Sequence, residues 1–552
     1  MSGIAAGRSG LAAGGGAARG LSTAARLLGI GVPAAAALLA AAVAVDVVRP
    51  FQVAPVSFDA ASSVAFFDRI ASGRRLEAFV TTTPKPLLTV LYGIVHGLSH
   101  DWRPISWLAI LSFALAVAAA ASLALRTGGP VAGAFAGVAL AGAPTLLGDV
   151  SLAGGVAWAV AGWVGAGLLL TSSRPRYATA GLALLIAALA RVETFVVLGV
   201  ATVGLAWLAF GPLPASLRRP PRRAFAILIG FGALPCMLLH DWLLTGDPFF
   251  WMTVSVVFSR AAPAAVMTPV QVVSFLVHRY EPAWPLVLLG LIGAVDLLAR
   301  RRWVVAAGLL AVGPGIAAFL VLLAARGIYV SDRYAEPIDV ALRFVAAFGA
   351  AALVRGLFRA ADRTAGRLAI PGAPTVRAVR AHPAGPAVAA LAVGAAAAVL
   401  AGGPFGPRDA VLRRDVAAER ALNGNEQAVL PVLAAAVERT FPARERAAAP
   451  GSAAAAVPRL IVPVLLRPRV AVDLGLPLWA VGSRSPAADG PNAAQVSVPT
   501  IVYHDAGADR PVAAYRPFEI DRPGRLGRLE ISPILASPDR GLWVVELTPL
   551  TP

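Results

Sequence analysis

Lys85-Pro86-Leu87-Leu88-Thr89-Val90-Leu91-Tyr92-Gly93-Ile94-Val95-His96-Gly97-Leu98-Ser99-His100 decides how this chain threads a membrane. The run is apolar but short and carries two histidines, so it can be counted as crossing a bilayer or as lying in its surface. If it crosses, Arg174, Arg176 and the arginines between 218 and 223 all fall outside. If it lies in the outer interface, they fall inside, together with Arg126, Arg300–Arg302 and the arginines from Arg355 to Arg380. Cytoplasmic loops carry the excess of Lys and Arg, which selects the second threading.

Outward from that run, spans are expected near 27–48, 104–125, 129–148, 150–171, 177–190, 192–211, 224–243, 284–299, 303–325, 337–358 and 384–402. The fold class is therefore a polytopic α-helical membrane protein of roughly eleven transmembrane helices. It carries a C-terminal extracytoplasmic α/β domain. Composition agrees, with 58% hydrophobic and 14% charged residues and a mean hydropathy of +0.73, too apolar for a soluble chain of 552 residues. The net charge of +18 is mostly juxtamembrane arginine meeting anionic lipid, and no nucleic-acid partner is read from it. The single cysteine, Cys236, excludes an intrachain disulfide and reads as a packed thiol.

Residues 1–26, rich in Gly, Ala and Ser with Arg8, Arg19 and Arg26, read as a disordered cytoplasmic tail. The apolar run that follows is too long for a signal-peptide core and is expected to be a retained span. The membrane domain covers 27–402, with large outer loops at 49–103 and 244–283. The first loop holds an amphipathic stretch from Phe58 through Ile70, with Val64, Phe67, Ile70 and Ala71 at helical spacing. The second opens on the turn Gly246-Asp247-Pro248 and continues through Val270, Val273 and Val277. Residues 403–552 hold 15 of the 30 acids and 17 arginines, the balance of a soluble surface. There 409–441 is expected as a helix interrupted at Asn423-Gly424-Asn425, followed by strands near 460–466, 498–503 and 542–547. No metal-ligand spacing, nucleophile elbow or phosphate-binding glycine loop stands in this domain.

This threading gathers Asp59, Asp68, Asp101, Asp149, Asp241, Asp247, Glu281, Asp332 and Glu336 on the outer side. An acid-lined outer mouth is where chemistry or ion handling is sought. Asp59 stands at the start of the interfacial helix, either as a cap or as a general base for a hydroxyl at the membrane surface. Asp68 adjoins Arg69 and reads as a solvated ion pair. Asp149, in a tight turn after Leu146-Leu147-Gly148, either caps the next span or belongs to the site. Lys85 is the one lysine among 48 basic residues. Its compact ammonium suits a lipid phosphate, with snorkelling to headgroups as the bland alternative. Arg191 and Glu193 form the outward turn of a short hairpin. Charges in so apolar a stretch are costly unless paired or wetted. They are either a mutually satisfied structural pair or part of the site.

Arg333 and Tyr334, in Ser331-Asp332-Arg333-Tyr334-Ala335-Glu336-Pro337, precede a span, where the arginine either neutralises a phosphate or pairs with Asp332 or Glu336. His240, His278 and Arg279 are expected at the same level. No cofactor is called for. A divalent metal on a histidine and carboxylate remains open, although no tight spacing argues for it.

These pieces, in this order, resemble the C-type (GT-C) membrane glycosyltransferases, the mannosyl- and arabinosyltransferase-like enzymes that use polyprenyl-phosphate sugars. The resemblance covers about residues 27–400. Asp59 to Gly73 looks like the family's first outer loop, and Thr83-Pro84-Lys85-Pro86-Leu87 like its Pro-Pro-Leu segment with Lys85 in place of the first proline. Leu189-Ala190-Arg191-Val192-Glu193 is similar to its Thr-Arg-Pro-Glu stretch, with Val192 for proline. Gly246-Asp247-Pro248 resembles the family's turn after the following span, and Arg333-Tyr334 its Arg-Tyr before a late span.

The resemblance implies an inverting transfer of a sugar from a polyprenyl-phosphate donor to a cell-envelope glycan, lipid or protein acceptor. It gives Asp59 and Asp149 as catalytic acids, and Lys85 and Arg333, with Arg191, Glu193, Tyr334 and His278 beside them, as substrate-binding. The alternatives are a transporter or flippase of lipid-linked sugars, which would place charges at mid-depth, and a cell-envelope scaffold with a degenerate site.

Overall fold

The structure is a computed structural model that describes residues 10–52, 56–75, 85–210, 221–261, 266–330, 332–368, 410–441, 460–463, 466–478, 480–483, 499–505, 524–526, 529–537 and 542–549. The expected span at 384–402 and the residues Thr83 and Pro84 lie outside these, as does the backbone of 1–9. The side chain of Asp332 is likewise outside the described set. The first helix, α1 (Gly10–Val48), starts inside the stretch expected as a disordered tail. Its alanines favour helix intrinsically, which local composition alone does not distinguish from a loose Gly/Ala tail.

Two short helices follow, α2 (Phe58–Ala71) and α3 (Pro86–Ser99). At 1.5 Å per residue α3 is about 21 Å long, short of a bilayer's hydrocarbon core of about 30 Å. Next come α4 (Arg103–Gly128), α5 (Pro130–Ala141), α6 (Pro144–Ser151), α7 (Val156–Leu170), α8 (Tyr177–Ala190) and α9 (Thr194–Phe210). After a 3-10 segment the chain continues as α10 (Ala233–Thr245), α11 (Phe250–Ala261), α12 (Pro269–Tyr280), α13 (Trp284–Ala299), α14 (Trp303–Leu310), α15 (Ile316–Ala325) and α16 (Glu336–Leu368).

The chain is a multi-pass helical membrane protein. Among the described residues five helices are long and apolar enough to cross, and up to seven spans result if each of two bent pairs counts as one. One of those pairs is α5 and α6, bent by 51° at the Gly142-Ala143-Pro144 break, where a single span was expected at 129–148. Pro144 supplies no backbone N–H to continue the ladder of α5, so the helix restarts there. Exposed Leu111 and Leu115 on α4, Val203 and Trp207 on α9, and Leu288, Leu291 and Val295 on α13 present the apolar surface that lipid would cover.

Close helix contact depends on small residues. A Cβ on Gly293 of α13 would run into the Val345 carbonyl of α16, and one on Gly349 of α16 into the Leu289 carbonyl of α13. Such backbone-to-backbone approach is how membrane helices gain dispersion contacts without a hydrophobic driving force between them.

Helix α16 also separates the charges. Asp296 of α13 holds Arg300 at 2.9 Å and Arg355 of α16 at 2.7 Å. Glu336 and Asp339 sit in the first turn of α16, and Glu336 and Arg355 are about 28 Å apart along the axis at helical rise. The two ends of the bundle thus carry different charged clusters.

Beyond residue 409, α17 (Ala410–Thr440) is one continuous helix. The break expected at Asn423-Gly424-Asn425 does not occur. Leu422, Val429, Leu433, Ala436 and Val437 of this helix are buried in one cluster with Leu460, Val462, Ile501 and Val544. That tertiary burial outweighs the weak local helix preference of Asn and Gly.

The strands are β1 (Leu460–Val462), β2 (Val481–Ser483), β3 (Thr500–Asp505), β4 (Gly524–Leu526), β5 (Leu529–Ser537) and β6 (Leu542–Pro549), and α18 (Arg467–Asp473) follows β1. They form one sheet in the order β2-β1-β3-β6-β5-β4. β1 pairs parallel to β2 and β3, and the remaining pairs are antiparallel.

Candidate functional site

Ser57 begins the site. Its hydroxyl accepts the Ala60 amide at 3.3 Å and so caps α2, while its own amide donates to the Leu152 carbonyl at 3.3 Å. Because Ser57 does the capping, the Asp59 carboxylate in the first turn is not needed for it. The positive end of the helix macrodipole still favours a carboxylate there. Lys85 Nζ lies 2.9 Å from Asp59 Oδ2, with the lysine side chain 7% exposed and the aspartate 28%. Arg333 Nη1 approaches the same oxygen at 3.4 Å. Two cations from distant parts of the chain therefore converge on one carboxylate oxygen.

Asp149 is buried at the end of α6, and its Oδ2 accepts the Val156 amide at 2.9 Å. The turn around it is specially built. Ala153 has φ +53°, a left-handed conformation that costs about 1 kcal/mol or more for an L-residue. Its carbonyl is held by the hydroxyl of fully buried Tyr92, which donates at 3.1 Å. A Cβ on Gly154 would collide with the Asp149 carboxylate, and one on Gly155 would press on the Ala190 carbonyl at 2.8 Å. The two glycines make room for Asp149 on one side and for the end of α8 on the other.

Arg191 and Glu193 are paired in two-pronged fashion, Nη2 to Oε1 at 2.7 Å and Nε to Oε2 at 3.1 Å. Glu193 is 1% exposed. Both readings of the pair prove compatible: Glu193 is the buried partner, while Arg191 also lines the cavity and donates to the Arg333 carbonyl at 3.5 Å. A planar guanidinium held this way keeps its charge in a fixed orientation.

These residues surround a cavity of about 930 Å³ lined by Ser57, Asp59, Lys85, Asp149, Gly154, Gly155, Arg191, Arg333 and Glu336, among others. Of the residues expected at the site, Asp59, Asp149, Lys85, Arg191 and Arg333 meet here. Glu193 and Tyr334 stand behind the lining, Tyr334 packing with the apolar cluster around Ile316 and Leu320. His278 does not reach the cavity. Its Nδ1 lies 2.7 Å from the Ser274 carbonyl, and it lines an adjoining groove with Gln271, Ser274, Phe275 and Arg279. The reason is helical phase: Arg279 is the neighbour that turns inward.

His240, buried between Thr89 Oγ1 at 3.1 Å and Asp241 at 3.2 Å, ties α10 to α3 and is not part of the lining. Asp247 accepts the Phe249 amide in its turn at 2.9 Å.

The sequence reading set Arg279 at this level but missed the polar group that it forms in the same cavity. Arg279 Nη2 binds Asp339 Oδ2 at 2.7 Å, and Tyr280 and Arg343 line the cavity beside them. It also missed the outer wall, where Leu412, Asp415, Val416 and Glu419 of α17 face in. The Glu336 and Asp339 pair opening a span was a usable signal for the first. Nothing near Glu419 signals the second.

Among the described residues no three His, Cys, Asp or Glu side chains converge as a metal-binding group. Of the carboxylates in the cavity, Asp59 is engaged by Lys85 and Arg333, Asp149 holds the Val156 amide, and Asp339 is paired with Arg279.

No family model matches the chain, and no curated protein matches it. Among solved structures the chain is similar to ArnT from Cupriavidus metallidurans. The apo crystal structure shares 14% identity at a TM-score of 0.48. The structure bound to undecaprenyl phosphate shares 14% identity at 0.47. In each case 92% of this chain and 97% of that chain are covered. The roles of individual residues rest on the site's own geometry.

Proposed function

We propose that the chain is a glycosyltransferase that moves a sugar from a polyprenyl-phosphate donor to a hydroxyl acceptor, with the cavity at the outer face of the membrane. The observation that carries this reading is the convergence of Lys85 and Arg333 on Asp59 Oδ2 at the edge of the cavity. Two cations and a carboxylate are the parts needed to bind a phosphate and to take a proton from a nucleophile beside it. The Asp59 carboxylate stands within reach of both cations, where a phosphate oxygen would be contacted.

When the donor arrives, Lys85 and Arg333 turn to its phosphate and Asp59 is released. The acceptor hydroxyl then gives its proton to Asp59. Its oxygen forms a bond to the anomeric carbon as the bond from that carbon to the phosphate oxygen breaks. The electron pair leaves with the polyprenyl phosphate, whose charge is met by Lys85, Arg333 and the oriented guanidinium of Arg191. Attack opposite the leaving group inverts the anomeric centre. Asp149, fixed by the Val156 amide beside the Gly154 turn, is a further acid of the cavity.

A membrane-embedded donor suits a site ringed by apolar helices, and the gathering of the cavity's own ionisable side chains near one end of the bundle favours an enzyme over a carrier with mid-depth charges. The test is sugar transfer from radiolabelled polyprenyl-phosphate sugars in membranes holding wild type or Asp59→Asn. Transfer by the wild type that is lost in a folded variant supports the reading, and equal transfer by both removes Asp59 from it.

A further inference from the structure

The wall of the cavity formed by α17 lies more than 250 residues from Asp149 in sequence, yet it is firmly docked. Arg420 Nη2 donates to the Val47 and Val48 carbonyls at 3.0 and 2.9 Å, satisfying the open end of α1. Arg413 Nη2 meets Asp46 Oδ2 at 3.1 Å. Farther along, Trp102 Nε1 donates to Asp473 Oδ1 at 2.8 Å, and the Arg469 guanidinium lies 5.2 Å from the Trp102 ring centre.

The stripe that these ties present to the cavity is Leu412, Asp415, Val416 and Glu419, at the spacing of a single helix face. It alternates apolar and carboxylate groups. Glu419 is partly buried and has no hydrogen-bond or ion-pair partner among the described residues. Burial holds its carboxyl above the usual carboxylate range, against the opposing pull of Arg333 and Arg469.

We infer that this face of α17 is the acceptor subsite and that Glu419 is an acceptor-binding residue for a polyhydroxylated, carbohydrate ligand. The inference rests on the glycosyltransferase reading. A carboxylate accepts hydrogen bonds only, and two adjacent hydroxyls of a sugar satisfy it without a charged partner. The C–H face of a sugar ring lies comfortably on Leu412 and Val416. Lys85, Arg333 and Arg191 occupy the opposite role, since cations suit the donor phosphate and not a neutral polyol. The acceptor therefore enters beneath the outer domain and presents its nucleophilic hydroxyl to Asp59 from the α17 side.

The test uses the full-length chain in membranes, with labelled polyprenyl-phosphate sugar as donor and delipidated cell-envelope glycan from the host as acceptor. Donor and acceptor half-saturation are measured separately for wild type, Glu419→Ala and the shape-conserving Glu419→Gln. The account expects the half-saturating glycan concentration to rise about tenfold or more in Glu419→Ala, the loss expected of a hydrogen bond to a charged group. Glu419→Gln falls between, and donor half-saturation stays within about twofold in both, since uniform binding of the donor is untouched. Unchanged glycan half-saturation overturns the inference while leaving the function standing. A shift in donor half-saturation alone also overturns it, because Glu419 then acts through Arg333. Wild-type membranes that transfer no label to the glycan overturn the function itself, and this inference with it.

Discussion

Lys85 Nζ closes on Asp59 Oδ2 at 2.9 Å, and the lysine is the more deeply buried of the two, 7% exposed against 28%. Asp59 lies on α2 and Lys85 immediately precedes α3. This ion pair fixes one against the other, so its removal is expected to be felt in both stability and activity.

Lys85→Met removes the closer of the two cations beside the partly buried Asp59 carboxylate. Breaking a fully buried pair costs about 3–5 kcal/mol, and the solvent reaching Asp59 reduces this to about 1–3 kcal/mol here. Thermal unfolding of the detergent-solubilised protein measures it. Lys85→Arg keeps the charge and is expected to restore stability, while its bulkier fork lowers transfer relative to wild type.

Arg191 and Glu193 were legible as a pair from sequence, because a hairpin so short leaves them nowhere else to go. The pair is expected to behave as a unit. Glu193→Gln strands a buried guanidinium and costs about 3 kcal/mol or more, whereas replacing both residues by apolar ones restores much of that stability and none of the activity. A double-mutant cycle read by melting temperature and by sugar transfer separates the two effects.

Other parts were not legible. Lysine and arginine bias is a property of whole loops, and three of the acids it set together, Asp59, Asp149 and Glu336, line one cavity. The bend between α5 and α6 depends on how Pro144 restarts a helix, and the continuity of α17 depends on burial against a sheet that is later in the chain. Glu419 reaches the cavity only because Arg413 and Arg420 bind the end of α1. No periodicity encodes a contact across that separation. The placement of His278 in the outer groove, with Arg279 in the cavity, turns on one residue of helical phase, finer than an unaligned sequence resolves.

Glu426 supplies a pH test of the C-terminal region. It is fully buried, 3.0 Å from Arg469 Nε, and Asp473 lies 3.6 Å from the same nitrogen. Burial, together with the second carboxylate competing for one arginine, pushes Glu426 up to about 8. Its folded value thus lies above its unfolded one. The stabilisation is fully present below about pH 4, the ordinary range of a glutamate. It is lost as pH rises through about 8, because the unfolded chain gives up the proton first. Melting temperature is expected to fall over that window, and Glu426→Gln is expected to flatten the fall.

The most direct measurement is transfer of label from polyprenyl-phosphate sugar in membranes carrying wild type or Asp59→Asn, each with and without chelator. Transfer by the wild type, lost by about a hundredfold or more in an Asp59→Asn protein of unchanged melting temperature, is the result expected of a general base. Equal transfer by the two proteins would contradict the account, and would direct attention to Asp149 across the same cavity.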